Sequence, residues 1–404
     1  MRLSCTLRRL EGLDEMDAGN ITGRALHRQR GRGSIFLRFS ALSRRMAAAC
    51  RDPLPVALTA ALVIALVAGH SWASAASSTS GSVGLLLPST KSARWAQNAA
   101  YFVRRLHTDA PTANVVVLGS DGKQSTQLSQ ATTAIKSGAK VLVVAPINAR
   151  AAARIITKAH HSHVQVIGYD RPIKGNKLDL YTGFDQTYAG RLEGRSILNH
   201  VRKHGRLVFI NGPIDDDLAR AEFDGYYAHT LQAKIRHHAY ISIGTYWTNT
   251  WSTTDARWDM VDALFRDRNR VQGVLSGDDV LSQGVIKALR DVHYKRRVWI
   301  TGAGATLAGL RSIIRGQQGM TVYEPGYLEA SAAADAASSL LAGKPLPSNF
   351  DSTVDVGYGK VRAAIFDPIA VTRSSIKSTV IKDKFMSQRA LCKGIQKLCR
   401  KYHI

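Results

Sequence analysis

Residues 139–172 read AKVLVVAPINARAAARIITKAHHSHVQVIGYDRP. Two short β-branched runs, Val141–Val144 and Gln165–Gly168, flank an amphipathic segment, Ala151–His161, whose apolar residues recur at helical spacing. Apolar runs without alternation belong to strands covered on both faces, and a helix between two of them forms a right-handed crossover joining parallel neighbours. The polar residues fall where such units hold ligands, beyond the carboxyl ends of the strands. Here those residues are Pro146-Ile-Asn148 and Tyr169-Asp170-Arg171-Pro172.

The alternation continues in both directions. Strands are expected at Val83–Leu87, Val115–Leu118, Leu180–Phe184, Leu207–Ile210, Tyr240–Ile243, Gly273–Leu275, Val298–Thr301 and Met320–Tyr323. Helices are expected at Ala93–Leu106, Gln127–Lys136, Tyr188–Val201, Asp255–Phe265, Ser282–Asp291 and Leu307–Ile314. So many strands exceed one compact nucleotide-binding unit, and 404 residues suffice for two cores. The expected class is therefore α/β with two doubly wound parallel-sheet lobes.

Upstream, Arg44 and Arg45 precede an apolar stretch from Val56 to Ala68, followed by small residues at Ala73-Ser74-Ala75. This is the tripartite pattern of an export signal, and the apolar run is shorter than the ~20 residues a membrane span needs. Residues 1–75 are read as a leader, with Met46 as an alternative start, and the mature chain is expected to be exported. Only Cys392 and Cys399 lie beyond it. An even pair at short spacing in an oxidising compartment, without neighbouring metal ligands, points to a local disulfide in a basic tail, residues 386–404.

The chain has 55 Lys+Arg against 30 Asp+Glu, a formal charge of +25 that remains +19 when residues 1–75 are set aside. The charge is scattered through Arg104, Arg105, Lys203, Arg206, Arg266, Arg268, Arg270 and Lys295-Arg296-Arg297, with a denser share after Lys360. No basic motif interleaved with base-stacking aromatics appears, so nucleic acid is not an expected partner. Solvated helix faces, or adaptation to acid or to a polyanionic envelope, remain the two readings.

The remaining strand-end loops carry Arg94-Trp95, Asp215-Asp216-Asp217, Trp247 to Trp251, Asp278-Asp279 and Glu324-Pro325. Carboxylates and amides serve hydroxyls that both donate and accept, Arg offers a planar fork, and an indole covers the apolar face of a sugar ring. Trp95 and Trp251 could cover opposite faces, whereas Trp247 could belong to the core. Asp215–Asp217 and Asp278-Asp279 equally suit helix N-caps, a role compatible with a ligand contact. Asp170-Arg171 could also be a salt-bridged turn.

At these loops the sequence resembles the D-xylose-binding proteins of bacterial ABC importers, a branch of the periplasmic sugar-binding receptors that share their fold with LacI-type repressors. The resemblance rests on Arg94-Trp95, Gln127-Leu-Ser-Gln130, Gly138 to Val144, Tyr169-Asp170-Arg171, Gly212-Pro-Ile-Asp215, Trp247 to Trp251, Leu307-Ala-Gly309 and Met320 to Pro325. Asp367 to Thr372 and Ser378 to Asp383 extend it, so that it spans about Ser82 to Cys399. It implies a type I periplasmic binding protein fold, with lobes of residues 82–187 plus 324–360 and 188–323 plus 361–385 joined by a three-segment hinge near Asp185–Tyr188, Glu324 and Lys360.

It further implies a monomer that takes a monosaccharide through Arg94, Trp95, Asp170, Arg171, Asp215, Asp217, Trp251 and Asp278 and presents it to an ABC transporter permease. Three positions depart from the family pattern: Asp278 stands where Asn is common, Gly304 where Asp is, and Glu324 where Lys is. D-xylose is therefore one candidate among related pentoses and hexoses.

No catalytic constellation, cofactor loop or metal cluster is expected. His160-His161-Ser-His163 lacks acidic or cysteine partners nearby in sequence, and Gly302-Ala-Gly304 has Leu307 where a dinucleotide loop needs its third glycine. A sugar-sensing receptor subunit shares the same lobes. A LacI-like regulator would need a helix-turn-helix where the leader stands.

Overall fold

The computed structural model describes residues 81–404. The leader, Met46 and the Ala73-Ser74-Ala75 site lie outside them. Among the described residues no helix is long and apolar enough to cross a membrane.

The chain begins with β1 (Ser82–Leu87), α1 (Ala93–Asp109), β2 (Asn114–Gly119), α2 (Gln124–Lys136), β3 (Ala139–Val144), α3 (Ala153–His161), β4 (Gln165–Tyr169) and β5 (Leu180–Phe184). It then crosses to a second lobe at Asp185, whose side chain accepts a hydrogen bond from Tyr188 N (2.8 Å) and caps α4 (Gln186–His200). There follow β6 (Gly205–Asn211), α5 (Asp217–Tyr226), a π-helical turn (Tyr227–Leu231), α6 (Gln232–Arg236), β7 (Tyr240–Trp247), α7 (Thr253–Arg266), β8 (Gly273–Ser276), α8 (Asp279–Asp291), β9 (Trp299–Ile300), α9 (Leu307–Arg315) and β10 (Thr321–Tyr323). The chain returns through Glu324 to α10 (Gly326–Ala342), β11 (Ser352–Asp355) and β12 (Lys360–Phe366). It crosses a third time to β13 (Ile369–Val371), a second π-helical turn (Lys377–Ile381), α11 (Gln388–Cys392) and α12 (Gln396–Lys401).

The N-terminal lobe holds a seven-stranded sheet in the order β11-β12-β5-β4-β3-β1-β2, and the C-terminal lobe a four-stranded sheet, β7-β6-β8-β9, beside a β10-β13 pair. Leu85, Val143 and Ile167 bury one face of the first sheet under α1 and α10, while Leu86, Leu142 and Val166 bury the other under α2 and α3. This two-sided burial is why the strands read as continuous apolar runs. In the second lobe Val208 and Val274 meet α7 and α8, and Leu207, Phe209 and Leu275 meet α4 and α5.

Several expectations need correction. The third crossing lies at Asp367-Pro368, not near Lys360, because β12 pairs in parallel with β5, Ala363 opposite Tyr181 and Phe366 opposite Phe184. Lys360 and Arg362 point outward from this strand and hid it among polar residues. The two main sheets are mostly parallel as expected, with β11-β12 at the edge of the first and the separate β10-β13 pair antiparallel. Residues 386–404 are more than a basic extension: Leu391, Cys392, Ile395, Cys399 and Ile404 are buried in one cluster with Leu310, Ile313 and Ile314 of α9. Cys392 and Cys399 are joined by a disulfide. The helix α10 went unread because alanines fill it and erase the polar stripe; six of them are fully buried or nearly so.

Helices α4 and α5 touch backbone to backbone. A Cβ on Gly190 would lie 2.0 Å from the carbonyl oxygen of Glu222, and one on Gly225 2.1 Å from that of Thr187. No side chain can yield at either point. Gly225→Ala should therefore force the helices apart and lower stability by about 1–3 kcal/mol, read as a lower midpoint in urea; an unchanged midpoint would contradict this contact.

Candidate functional site

Between the lobes lies a cavity of about 520 Å³, within the ~300–1,000 Å³ usual for small-molecule sites. It sits where strands β1, β4, β8 and β9 run out at their carboxyl ends. Ser92, Arg94, Asn98, Asp170 and Arg171 come from the first lobe, Leu218, Glu222, Trp251, Asp278 and Thr306 from the second, and Gln186 and Glu324 from the crossings.

Arg94 opens α1, and its guanidinium donates to Asp170 and to Glu324 Oε2 (3.3 Å). Asp170 follows β4 in the left-handed region, φ +65°, a conformation that Asp tolerates better than most residues. Its amide donates to Thr182 O (3.0 Å), and Tyr181 Oη donates to its carbonyl (2.9 Å), so the carboxylate is held from behind. Gln186 Nε2 donates to Glu324 Oε1 (2.6 Å), tying the first crossing to the second. Arg171 reaches over the cleft to Asp216 (3.2 Å), and Lys174 to Asp217 (2.8 Å). Two ion pairs thus span the lobes.

Across the cavity, Trp251 lies flat on the backbone. A Cβ on Gly212 would be 2.3 Å from its ring and one on Gly277 3.4 Å away, so only glycine at 212 admits the indole. Its Nε1 donates to Asp216 Oδ2 (3.2 Å). Asp278 caps α8, accepting from Leu281 N (2.7 Å), while its neighbour Asp279 is turned inward to accept from Gln318 Nε2 (2.7 Å) and Thr306 N (2.7 Å). Asp279 therefore braces the Ala303–Thr306 loop behind the wall. Gly304 in that loop has φ +100°, where any side chain is strained.

Of the residues read from sequence, Arg94, Asp170, Arg171, Trp251 and Asp278 line this cavity together. Trp95 does not. One position on from Arg94, it is rotated about 100° round the helix and packs against Tyr169, ring centroids 6.3 Å apart. Asp215 and Asp217 face an adjoining cavity of about 340 Å³ behind the Arg171–Asp216 bridge. Asp217 is there engaged by Lys174 and Arg220, so Asp216 is the member of that turn nearest the main cavity's indole. Trp247 packs on Phe223, centroids 5.1 Å apart, away from the cavity. His160 pairs with Asp179 (2.9 Å), and no cluster with metal-binding composition occurs among the described residues.

The sequence reading missed Gln186, Glu222, Asn98, Phe385 and Met386, which also line the cavity. One signal was available for Glu222: it shares the buried stripe of α5 with Ala219, Gly225 and Tyr226, where a carboxylate needs a reason to be.

Glu222 lies close to Glu193 of α4, and both carboxyls are buried. Neither Oε1 has a hydrogen-bond donor among the described residues, which favours the protonated carboxyl over the charged one. Burial pushes both above the usual carboxylate range, Glu193 to about 8. Burial also raises Asp278 to about 7. A folded-state pKa above the unfolded value means that, between about 4.5 and 8, the unfolded chain releases a proton the folded chain keeps. Stability is then lost as pH rises through that window, by up to ~1.4 kcal/mol per unit. Glu193→Gln removes the Glu193 contribution, so its melting temperature relative to the unaltered protein should rise from pH 5 to pH 8; a constant offset would contradict the raised Glu193 carboxyl.

A periplasmic binding protein domain model matches residues 83–345. The D-xylose-binding periplasmic protein of Haemophilus influenzae is 30% identical over 320 residues, covering 79% of this chain and 95% of the relative. The D-xylose-binding periplasmic protein of Escherichia coli is 29% identical over 309 residues, covering 76% and 92%. A carbohydrate transporter solute binding protein from Chloroflexus aurantiacus, solved with D-glucose, superposes with a TM-score of 0.69 at 24% identity, covering 76% of this chain and 97% of that one. The two-lobed architecture, the cleft at the strand ends and the matched span agree: the chain belongs to the periplasmic binding protein family, whose members bind solutes rather than transform them.

Proposed function

We propose that this chain is an exported, monomeric receptor that closes around one neutral monosaccharide and delivers it to the permease of an ABC-type importer. The observation that supports this reading is the make-up of the larger cavity between the lobes. Four carboxyl groups, Asp170, Glu222, Asp278 and Glu324, face it with only two guanidiniums, Arg94 and Arg171, in a protein of net charge +25. With Glu222 and Asp278 pushed up by burial, the two guanidiniums balance Asp170 and Glu324, so the lining offers an anion no net positive charge. A polyol suits it, because ionised carboxylates accept from hydroxyls while protonated Glu222 and the guanidiniums donate.

In this reading Trp251 covers one face of the sugar ring, Arg94, Asp170 and Arg171 grip its hydroxyls from the first lobe, and Asp278 and Glu222 grip them from the second. Trp95 acts from behind, holding the Arg94 guanidinium, which lies 4.9 Å over its ring. Asp217 serves closure through Lys174 rather than touching sugar. The three crossings form the hinge, and the ion pairs spanning the lobes hold the closed form. The names of the relatives make D-xylose the first sugar to test, with other pentoses and hexoses beside it, since Gly304 and Glu324 reshape the pocket.

Adding monosaccharides singly should raise the melting temperature for one or a few of them. No rise with any pentose or hexose would overturn the reading. With the responsive sugar, Trp251→Ala and Asp170→Asn should each weaken binding by about tenfold or more, near 1.4 kcal/mol, in calorimetric titration of folded protein. Unchanged affinity in both would displace the site.

A further inference from the structure

A second concavity, of about 510 Å³, lies at the opposite end of the C-terminal lobe. It forms where residues 297–299 enter β9, where the chain turns after α9, where β13 ends, and where residues 401–403 close the fold. The sugar cleft lies past the carboxyl end of β9, so the two cavities face away from each other.

Its chemistry is the reverse of the cleft's. Arg297, Arg373 and Lys401 line it, with His200 and His403, and no carboxylate side chain does. None of these three cations forms an ion pair among the described residues, whereas Arg206 pairs with Asp267 and Arg257 with Asp291 (2.5 Å) in the same lobe. Ile404 is buried, and its main-chain oxygen takes a hydrogen bond from Gln388 Nε2 (2.8 Å).

The cations are placed rather than loose. Arg373 donates through Nε (3.1 Å) and Nη2 (3.0 Å) to Ile313 O at the end of α9 and lies 4.2 Å over the Tyr402 ring, which leaves Nη1 without an acceptor. Lys401 Nζ is 5.5 Å from the same ring, and Arg297 is 5.8 Å from Trp299. Trp299 is itself fixed, donating to Ser196 Oγ (2.9 Å) and stacked on His200 at 3.6 Å and 6°. Gathering unneutralised cations in one hollow raises its positive potential and favours a counter-anion. Guanidiniums and an ammonium around hydroxyls at Thr372 and Ser374 match the oxygens of a phosphate better than a single carboxylate.

We propose that this hollow is a second binding site, for a phosphate-bearing anion, built independently of the sugar cleft. The phosphate could belong to a free phosphate ester or to the headgroup of an anionic lipid; the recognition chemistry is the same, and the test separates them.

Full-length mature protein is titrated at low ionic strength with inorganic phosphate and with glycerol 3-phosphate, and separately sedimented with phosphatidylglycerol-containing and pure phosphatidylcholine vesicles. Arg297→Glu/Lys401→Glu is compared with Lys136→Glu/Lys158→Glu, an equal charge change on the other lobe. Arg373 is left intact because it secures α9. The expected result is binding to the free phosphates, or to the anionic vesicles only, that weakens about tenfold or more in the first variant and little in the second. Binding to neither phosphate source, or equal losses in both variants, overturns the proposal. Should the reversal fail to fold, judged by its melting curve, Arg297→Gln/Lys401→Gln replaces it under the same criteria. Monosaccharide response is read alongside; because the two cavities are separate, its presence or absence neither supports nor weakens the phosphate site.

Discussion

A closed cleft with more carboxyl groups than cations is the constraint on which the rest of this structure turns. Arg94 can neutralise Asp170 and part of Glu324, and Arg171 is committed to Asp216. Burial then favours the protonated state of Glu222 and pushes Asp278 up to about 7. That outcome turns an apparent excess of acceptors into a mixed set of donors and acceptors. Hydroxyl groups need such a mixture, and anions do not.

The scaffold meets this constraint by bringing elements unusually close. Gly190 and Gly225 let α4 and α5 touch, which sets Glu193 against Glu222. Gly212 lets the indole of Trp251 lie on the backbone, so that a large flat surface faces the cavity without projecting into it. The same inward logic explains Asp279, whose carboxylate holds the Ala303–Thr306 loop instead of reaching for a ligand.

Most of the fold was legible because buried parallel strands leave continuous β-branched runs and their crossovers leave a helical period. The elements that escaped were those lacking these signatures: β12, whose Lys360 and Arg362 alternate with buried residues, and α10, where alanine on every side leaves no polar stripe. The strand-end rule led to Arg94, Asp170, Arg171, Trp251 and Asp278, which line one cavity because loops after parallel strands converge whatever their separation in sequence. Trp95, Asp215 and Asp217, read from the same loops, do not line that cavity, since position in a loop does not fix the direction of a side chain. The rule was blind to Glu222 and Gln186, which reach the cavity from helices through packing between elements.

The basic composition also acquires a location. Cations and carboxyls are segregated rather than mixed: the cleft between the lobes is rich in acid, while the far end of the C-terminal lobe gathers Arg297, Arg373 and Lys401 without ion-pair partners among the described residues. The net charge therefore carries no information about what the cleft holds. The most direct measurement is a crystal structure of the protein with the sugar that stabilises it. The account predicts one ring lying against the indole of Trp251, with Arg94 and Asp170 on one side and Asp278 or Glu222 on the other within hydrogen-bonding distance. A sugar bound on any other surface, with that space left to solvent, would contradict it.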